Sequence, residues 1–206
     1  MYKDMTVQAF VDEVASKSPA PGGGSVSALG GALAAALANM VCNITIGRKK
    51  YADVQEVMAD HGSSIEPLRA KLMDDIDRDT EAFNKVMAAY GMPKATDEEK
   101  SQRRQAIQDT MKEAALVPME VAETTYGIML RLEEIAAKGN QNAITDALVA
   151  TMLARTAVLG ALYNVEINLM SIKDTDFVTK LGDEVATLRR EVMELESKIM
   201  DANKLQ

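Results

Sequence analysis

The chain of 206 residues has no tryptophan, one cysteine, one histidine and eight aromatic side chains, five Tyr and three Phe. Each shortage excludes something. A single cysteine, Cys42, cannot form an internal disulfide, and inside an apolar run it reads as a small core residue. A single histidine, His61, leaves no Cys–His set with zinc-ligand spacing and no recognisable Ser–His–Asp triad, so no metal site is expected. The glycine runs lack the GK[ST] ending of a P-loop, and no GxGxxG follows a strand. Basic residues are also scarce: 23 Lys and Arg stand against 31 Asp and Glu, and the net charge of −8 argues against a nucleic-acid partner. Runs that alternate apolar and polar residues are missing, which removes the usual strand signal. Any acid–base chemistry therefore falls on carboxylates, lysines or tyrosines.

What remains is helical in character. Apolar residues make up 47% of the chain, with Ala, Leu, Met and Glu dominant, and the length suits one core. The expectation is an all-α, single-domain bundle of long antiparallel helices spanning 1–206. The stretch SPAPGGGSVSALGGALAAALANMVCNITI, residues 18–46, organises it. Pro19 and Pro21 forbid helix locally, and Gly22, Gly23 and Gly24 allow close backbone approach. Ser25 or Ser27 is expected to cap a helix of about 20 residues. A helix N-terminus beside a glycine loop suits an anionic or carbonyl-bearing ligand, which makes Pro21, Gly22, Gly23, Gly24 and Ser25 binding candidates.

That helix is apolar on every side, with Val26, Leu29, Leu33, Leu37, Met40, Val41 and Ile44 among alanines and glycines. Such a helix is buried in a core or in a membrane. The acidic residues ahead of it, Asp4, Asp12 and Glu13, do not resemble a signal peptide, and Asn39 and Asn43 interrupt it. It reads as the central helix of a soluble, cytoplasmic bundle with no membrane span. Asn39 and Asn43 share a face and are expected to point at polar groups or a ligand. Arg48, Lys49 and Lys50 follow its end, where cations complement a helix dipole.

Residues 54–90 read as a long helix, broken near Gly62. Its stripe runs Ile65, Leu68, Leu72, Ile76, Asp79, Phe83, Val86, Tyr90, so Asp79 takes a slot that calls for an apolar side chain. A carboxylate there needs donors or a cation, and burial moves its pKa toward acid–base use; an ion pair or a cap for a neighbouring helix is the structural alternative. Thr96 and Glu99 form a capping box, and Pro118 is expected to kink or split the helix that follows. The segment GNQNAITD, residues 139–146, crowds Asn140, Asn142, Thr145 and Asp146 at a helix start, more polar groups than a cap requires. A second alanine-rich helix carries Asn164 and Asn168, again four apart. In the last helix, Val178, Leu181, Val185, Leu188, Val192, Leu195 and Ile199 form a regular seam of coiled-coil type. Two nearly all-apolar helices need much covering surface, which favours a homodimer.

Taken together, SPAPGGGSVSALGGALAAAL (18–37), DRDTEAF (77–83), the MPKAT…R segment (92–104), VP (117–118), GNQNAITDA (139–147) and NVEINLMSIKD (164–174) resemble the cyclodeaminase/cyclohydrolase family. That family comprises the C-terminal domain of formiminotransferase-cyclodeaminase and stand-alone bacterial folate enzymes. The resemblance implies an all-helical dimer that binds tetrahydrofolate derivatives in a cleft involving the glycine loop and acts on the one-carbon bridge between N5 and N10. It implies Asp79 as the catalytic acid/base; from their polarity, Asn43, Asn140 and Asp146 are expected to help position the substrate. Arg48, Lys49 and Lys50 become candidates for the glutamate tail. The activity so implied is formiminotetrahydrofolate cyclodeaminase, with methenyltetrahydrofolate cyclohydrolase on the same site as the alternative. Neither reaction requires a cofactor beyond the folate substrate. No formiminotransferase domain is recognised, so the substrate is expected to come from another protein. A reading of a different class is a non-catalytic helical scaffold that uses the 178–199 seam to hold a partner.

Overall fold

The computed structural model describes residues 1–203. Among these, six α-helices follow in order: α1 (Val7–Val14), α2 (Gly23–Thr45), α3 (Gln55–Gly91), α4 (Asp97–Lys138), α5 (Ile144–Leu169) and α6 (Thr175–Ala202), with short 3-10 turns at Tyr2–Asp4, Lys49–Val54 and Gln141–Ala143. No strand occurs among the described residues. The all-α architecture expected from the composition is the one observed.

Small residues explain how α2 reaches the centre. α3, α4 and α5 all pack against it. α5 runs antiparallel to α2: Gly23 faces Asn164, Ser27 faces Gly160 and Gly30 faces Ala157. α3 is antiparallel as well, with Gly24 against Asp79, Gly31 against Leu72 and Asn39 against Glu66. A Cβ on Gly160 would lie 2.6 Å from Ser27 Oγ, and one on Gly31 would lie 2.5 Å from Thr125 Oγ1. The backbones thus meet where side chains are nearly absent, and burial is dense without large residues. The seam of α6 is buried on its own chain, at Leu181, Val185, Leu188, Val192, Leu195 and Ile199, against α5 and α4.

Several local expectations are corrected. α2 starts at Gly23 with Gly22 as its N-cap, so neither Ser25 nor Ser27 is the capping residue. α3 is unbroken through Gly62 and even through Pro67, and α4 continues through Pro118. Long helices packed on several sides tolerate the loss of one backbone hydrogen bond. α2 is not buried all round either. All of its alanines but Ala36 are buried, whereas Val26 and Leu33 are 42% and 48% exposed. In α1, an amphipathic helix by its spacing of Val7, Phe10, Val11 and Val14, Phe10 alone is buried and Val7 is 83% exposed. By length and composition, α2 and the 141–169 segment could each cross a membrane; here about half of each packs inside the bundle.

Candidate active site

The N-terminus of α2, the C-terminal third of α3, Met111 and Ala114 of α4 and the C-terminal half of α5 enclose a cavity of about 460 Å³. This is the size of a small-molecule site. Its walls are mostly apolar, including Phe83, Met87, Tyr90 and Met111, and its polar groups are few: Asp79, Thr80, Asn164 and Asn168. Gly22, Gly23 and Gly24 form one rim.

Asp79 is held by α2. Its Oδ2 accepts from the backbone N–H of Ser25 at 2.9 Å and from Ser25 Oγ at 3.0 Å, while Ser25 Oγ also reaches the carbonyl of Ile76 at 2.8 Å. Ser25 N–H is one of the donors that a helix leaves unpaired at its start, so the carboxylate of α3 serves as a cap for α2. A Cβ on Gly24 would lie 2.6 Å from Asp79 Oδ2 and closer still to Cγ and Oδ1. The glycine is required because the carboxylate sits against the α2 backbone. Burial pushes the Asp79 carboxyl above its ordinary range; the two Ser25 hydrogen bonds pull it back in part, and the charge of Asp75 adds to the rise.

The other carboxylates of this stretch have different partners. Asp74 is bound by Lys3 at 2.6 Å. Asp75, fully buried, is paired with Lys71 at 2.9 Å and with Arg78, and both cations also meet Glu120. Asp77 accepts the backbone N–H of Tyr2 at 2.6 Å and is buried beneath the N-terminal turn. Asp79 alone of the four lines the cavity, and among the described residues it has no cation partner.

Comparison with known proteins places this geometry. A profile of the formiminotransferase-cyclodeaminase family matches residues 6–187. The chain belongs to that family. It is 40% identical over 204 residues, 99% of its own length and 98% of the other's, to a methenyltetrahydrofolate cyclohydrolase of Methylorubrum extorquens. It is 37% identical over 188 residues to the formimidoyltransferase-cyclodeaminase of Rattus norvegicus, of which it spans 35%. The crystal structure of a formiminotetrahydrofolate cyclodeaminase from Thermotoga maritima superposes with a TM-score of 0.88 at 34% identity, covering 99% of this chain and 98% of that one.

Within this family frame, the candidates chosen from sequence divide into two groups. Gly22, Gly23, Gly24 and Asp79 line one cavity, and Ser25 and Pro21 are buried beside it. The remainder lie toward the opposite end of α2, about 20–30 Å away at 1.5 Å per residue. There Asn140 is structural in its contacts: its N–H donates to Thr45 Oγ1 at 2.8 Å, its Nδ2 donates to Ile44 O at 3.2 Å, and its Oδ1 accepts from Asn142 N at 3.1 Å. It ties the start of α5 to the end of α2. Asn39 donates to Glu66 at 3.1 Å, Asn43, Arg48 and Lys49 are exposed, and Asp146 lies in the first turn of α5. A single chain does not bring these residues to Asp79. His61 pairs with Glu134 at 2.9 Å, and burial pushes the Cys42 thiol up to about 11, as befits a core residue. Sequence reasoning left Asn164 and Asn168 unassigned. Their four-residue spacing is the available signal, but only the packing of α5 on α2 and α4 sets Asn164 against Gly23, ties Asn168 to the Ala114 carbonyl and brings both to the cavity.

Proposed function

We propose that this protein is a folate one-carbon enzyme that acts on the bridge between N5 and N10 of tetrahydrofolate, with Asp79 as general acid/base. The observation that carries this reading is a carboxylate with no cation partner at the polar end of an apolar cavity, fixed through one oxygen by Ser25. In 5,10-methenyltetrahydrofolate the bridging carbon is cationic. Water attacks it, a base takes the proton of that water, and the same group returns a proton as one C–N bond opens. A carboxylate stabilises the cation before attack, and a pKa raised by burial keeps it competent to give the proton back. The full-length likeness to a cyclohydrolase supports hydrolysis as the activity. Cyclodeamination, in which N10 attacks a formimino carbon and ammonia leaves, uses the same groups and is supported by the likeness to the Thermotoga maritima cyclodeaminase.

The reading includes a soluble, cytoplasmic homodimer. Leu33 and Met40 of α2 and Met152, Tyr163 and Ile167 of α5 are exposed on adjacent helices. Apolar area of this kind marks an interface, and a symmetric contact between copies would cover it.

The test is the methenylfolate absorbance, followed with methenyl- and formiminofolate in parallel. The wild-type protein is expected to consume the first or to form it from the second. Asp79→Asn retains an oxygen for the Ser25 bonds, so the helix stays capped and the protein folded, while turnover falls by about 10²–10⁴-fold. Asp77→Asn is expected to remain mostly active, because Asp77 binds Tyr2 and not the cavity. Full activity in Asp79→Asn would reduce that carboxylate to a helix cap.

A further inference from the structure

The cavity holds one charged group, Asp79, and it is negative. A folate carries carboxylates at the end remote from its pterin, and they cannot be accommodated against that charge. A second depression, of about 500 Å³, adjoins the first, and Tyr90 lines both. Tyr90 lies eleven residues beyond Asp79 on α3, three turns or about 16 Å along the helix. The second depression is bordered by Arg104 of α4 and Lys173 of the α5–α6 turn, with Ser101, Gln105 and Gln108 between them.

Its charges differ from their neighbours. Arg103 is engaged, donating to the Tyr90 carbonyl at 3.0 Å and covering the Tyr90 ring, and Lys112 is bound to Asp174 at 2.6 Å. Arg104 and Lys173 have no acidic partner among the described residues, in a chain of net charge −8. The walls are pinned. Gln108 donates to Ser171 O at 3.1 Å and accepts from Lys173 N at 2.7 Å, which fixes the α5–α6 turn on α4. The Asp109 carboxylate accepts from Gln105 at 2.9 Å. The result is a preformed, positively charged groove continuous with an apolar cavity.

We propose that the groove between Tyr90, Arg104 and Lys173 is the subsite for the carboxylates of a folate's γ-glutamyl chain. This rests on the folate reading above and specifies which end of the ligand lies where. The pterin and one-carbon bridge occupy the cavity at Asp79, the aminobenzoyl ring passes Tyr90, and the glutamyl carboxylates meet the guanidinium of Arg104, whose fork suits a carboxylate, and the ammonium of Lys173. Arg48, Lys49 and Lys50, at the far end of α2, are not within reach in the same chain.

Titration calorimetry with tetrahydrofolate and its triglutamate tests the assignment. Two exposed cations are expected to make the triglutamate bind about 3- to 20-fold more tightly, with the preference fading at high salt. The double substitution Arg104→Gln, Lys173→Gln should abolish the preference and leave the circular dichroism unchanged. The triple substitution Arg48→Gln, Lys49→Gln, Lys50→Gln should retain it. Equal binding of the two ligands by the wild type, a preference that survives in the double variant, or its loss in the triple variant would each overturn the proposal. The two readings fail separately. Preferential binding without turnover of either methenyl- or formiminofolate leaves the subsite and removes the reaction, turnover without preference does the reverse, and no folate binding removes both.

Discussion

The position that best couples sequence, packing and chemistry is Gly24, and Gly24→Ala is the perturbation to make. Gly24 lies in the first turn of α2. On helix propensity alone, alanine there would gain up to about 1 kcal/mol. The structure reverses the sign, because the new methyl would overlap the Asp79 carboxylate, at 2.6 Å from Oδ2 and nearer to Cγ and Oδ1. The obstacle cannot simply swing aside, since Oδ2 is fixed by both donors of Ser25. Either α2 shifts outward or Asp79 leaves its cap. Overpacking of this kind costs about 1–3 kcal/mol, and surrender of the hydrogen bonds to a charged group costs a similar amount. We therefore expect Gly24→Ala to be destabilised by about 2 kcal/mol and to lose turnover as Asp79→Asn does, measured by thermal melting and by methenylfolate absorbance. The decisive measurement is a cycle with Asp79→Ala. Once the carboxylate is gone, Gly24→Ala should be neutral or stabilising, giving a coupling of about 1–3 kcal/mol. A Gly24→Ala penalty that persists in the Asp79→Ala background would refute the reasoning, because the glycine would then serve the ligand or the loop and not the carboxylate.

Two further outcomes follow from the same geometry. Removing the hydroxyl in Ser25→Ala deletes one bond that favours the ionised form of Asp79, so its pKa should rise further; because the base must be ionised to act, the acid limb of the pH–rate profile should move to higher pH, and an unmoved limb would detach that limb from Asp79. Leu33→Glu places a charge on the exposed apolar face of α2 and should give a folded monomer by light scattering, whereas an unchanged oligomeric state would remove α2 from the interface.

Periodicity made most of the fold legible and also set its limits. The regular 3–4 spacing of Val178 to Ile199 specifies both the existence of α6 and the face that is buried. The capping box at Thr96 and Glu99 fixes the start of α4. The burial pattern of α2 was not legible, because hydropathy ranks Leu33 above Ala34. Packing density reverses the order: the inward face of α2 is filled mostly by closely approaching small residues, and Val26, Leu33 and Met40 are left on its outer face. At Pro118 the split that local propensity allows does not occur, since propensity carries no information about the neighbours that keep α4 continuous. In the site, Asp79 was conspicuous as a gap in an apolar stripe. Asp75 and Asp77 were not, although both are more buried than Asp79. The N-terminal turn covers Asp77, and Glu120 of α4 holds the same Lys71 and Arg78 that pair with Asp75; a wheel drawn for α3 alone contains neither the turn nor Glu120. Asn140 and Asp146 were grouped with Asp79 on polarity, and polarity does not measure the length of α2 that separates them.

The helix cap expected as the structural alternative for Asp79 and the proposed chemistry there are compatible, because they use different atoms. Oδ2 takes both Ser25 hydrogen bonds. Oδ1 takes none among the described residues and is left to the cavity. The cap fixes the direction of the carboxylate, and the partial positive charge at the start of α2 favours its ionised form. Burial and the Asp75 charge act against ionisation, and the balance lies on the side of a raised pKa. A salt bridge would have held the group just as firmly but would have lowered its proton affinity and neutralised its attraction for a cationic carbon. Asp75, four residues earlier on the same helix, is held in that way by Lys71 and Arg78, and it lies outside the cavity lining. The two carboxylates thus serve as an internal control for each other. The one with cations is fully buried and structural in its contacts, and the one held by neutral donors faces the space where a substrate fits. Proton transfer requires a carboxylate that is oriented without being neutralised, and a neighbouring helix N-terminus with a serine at its third position supplies that.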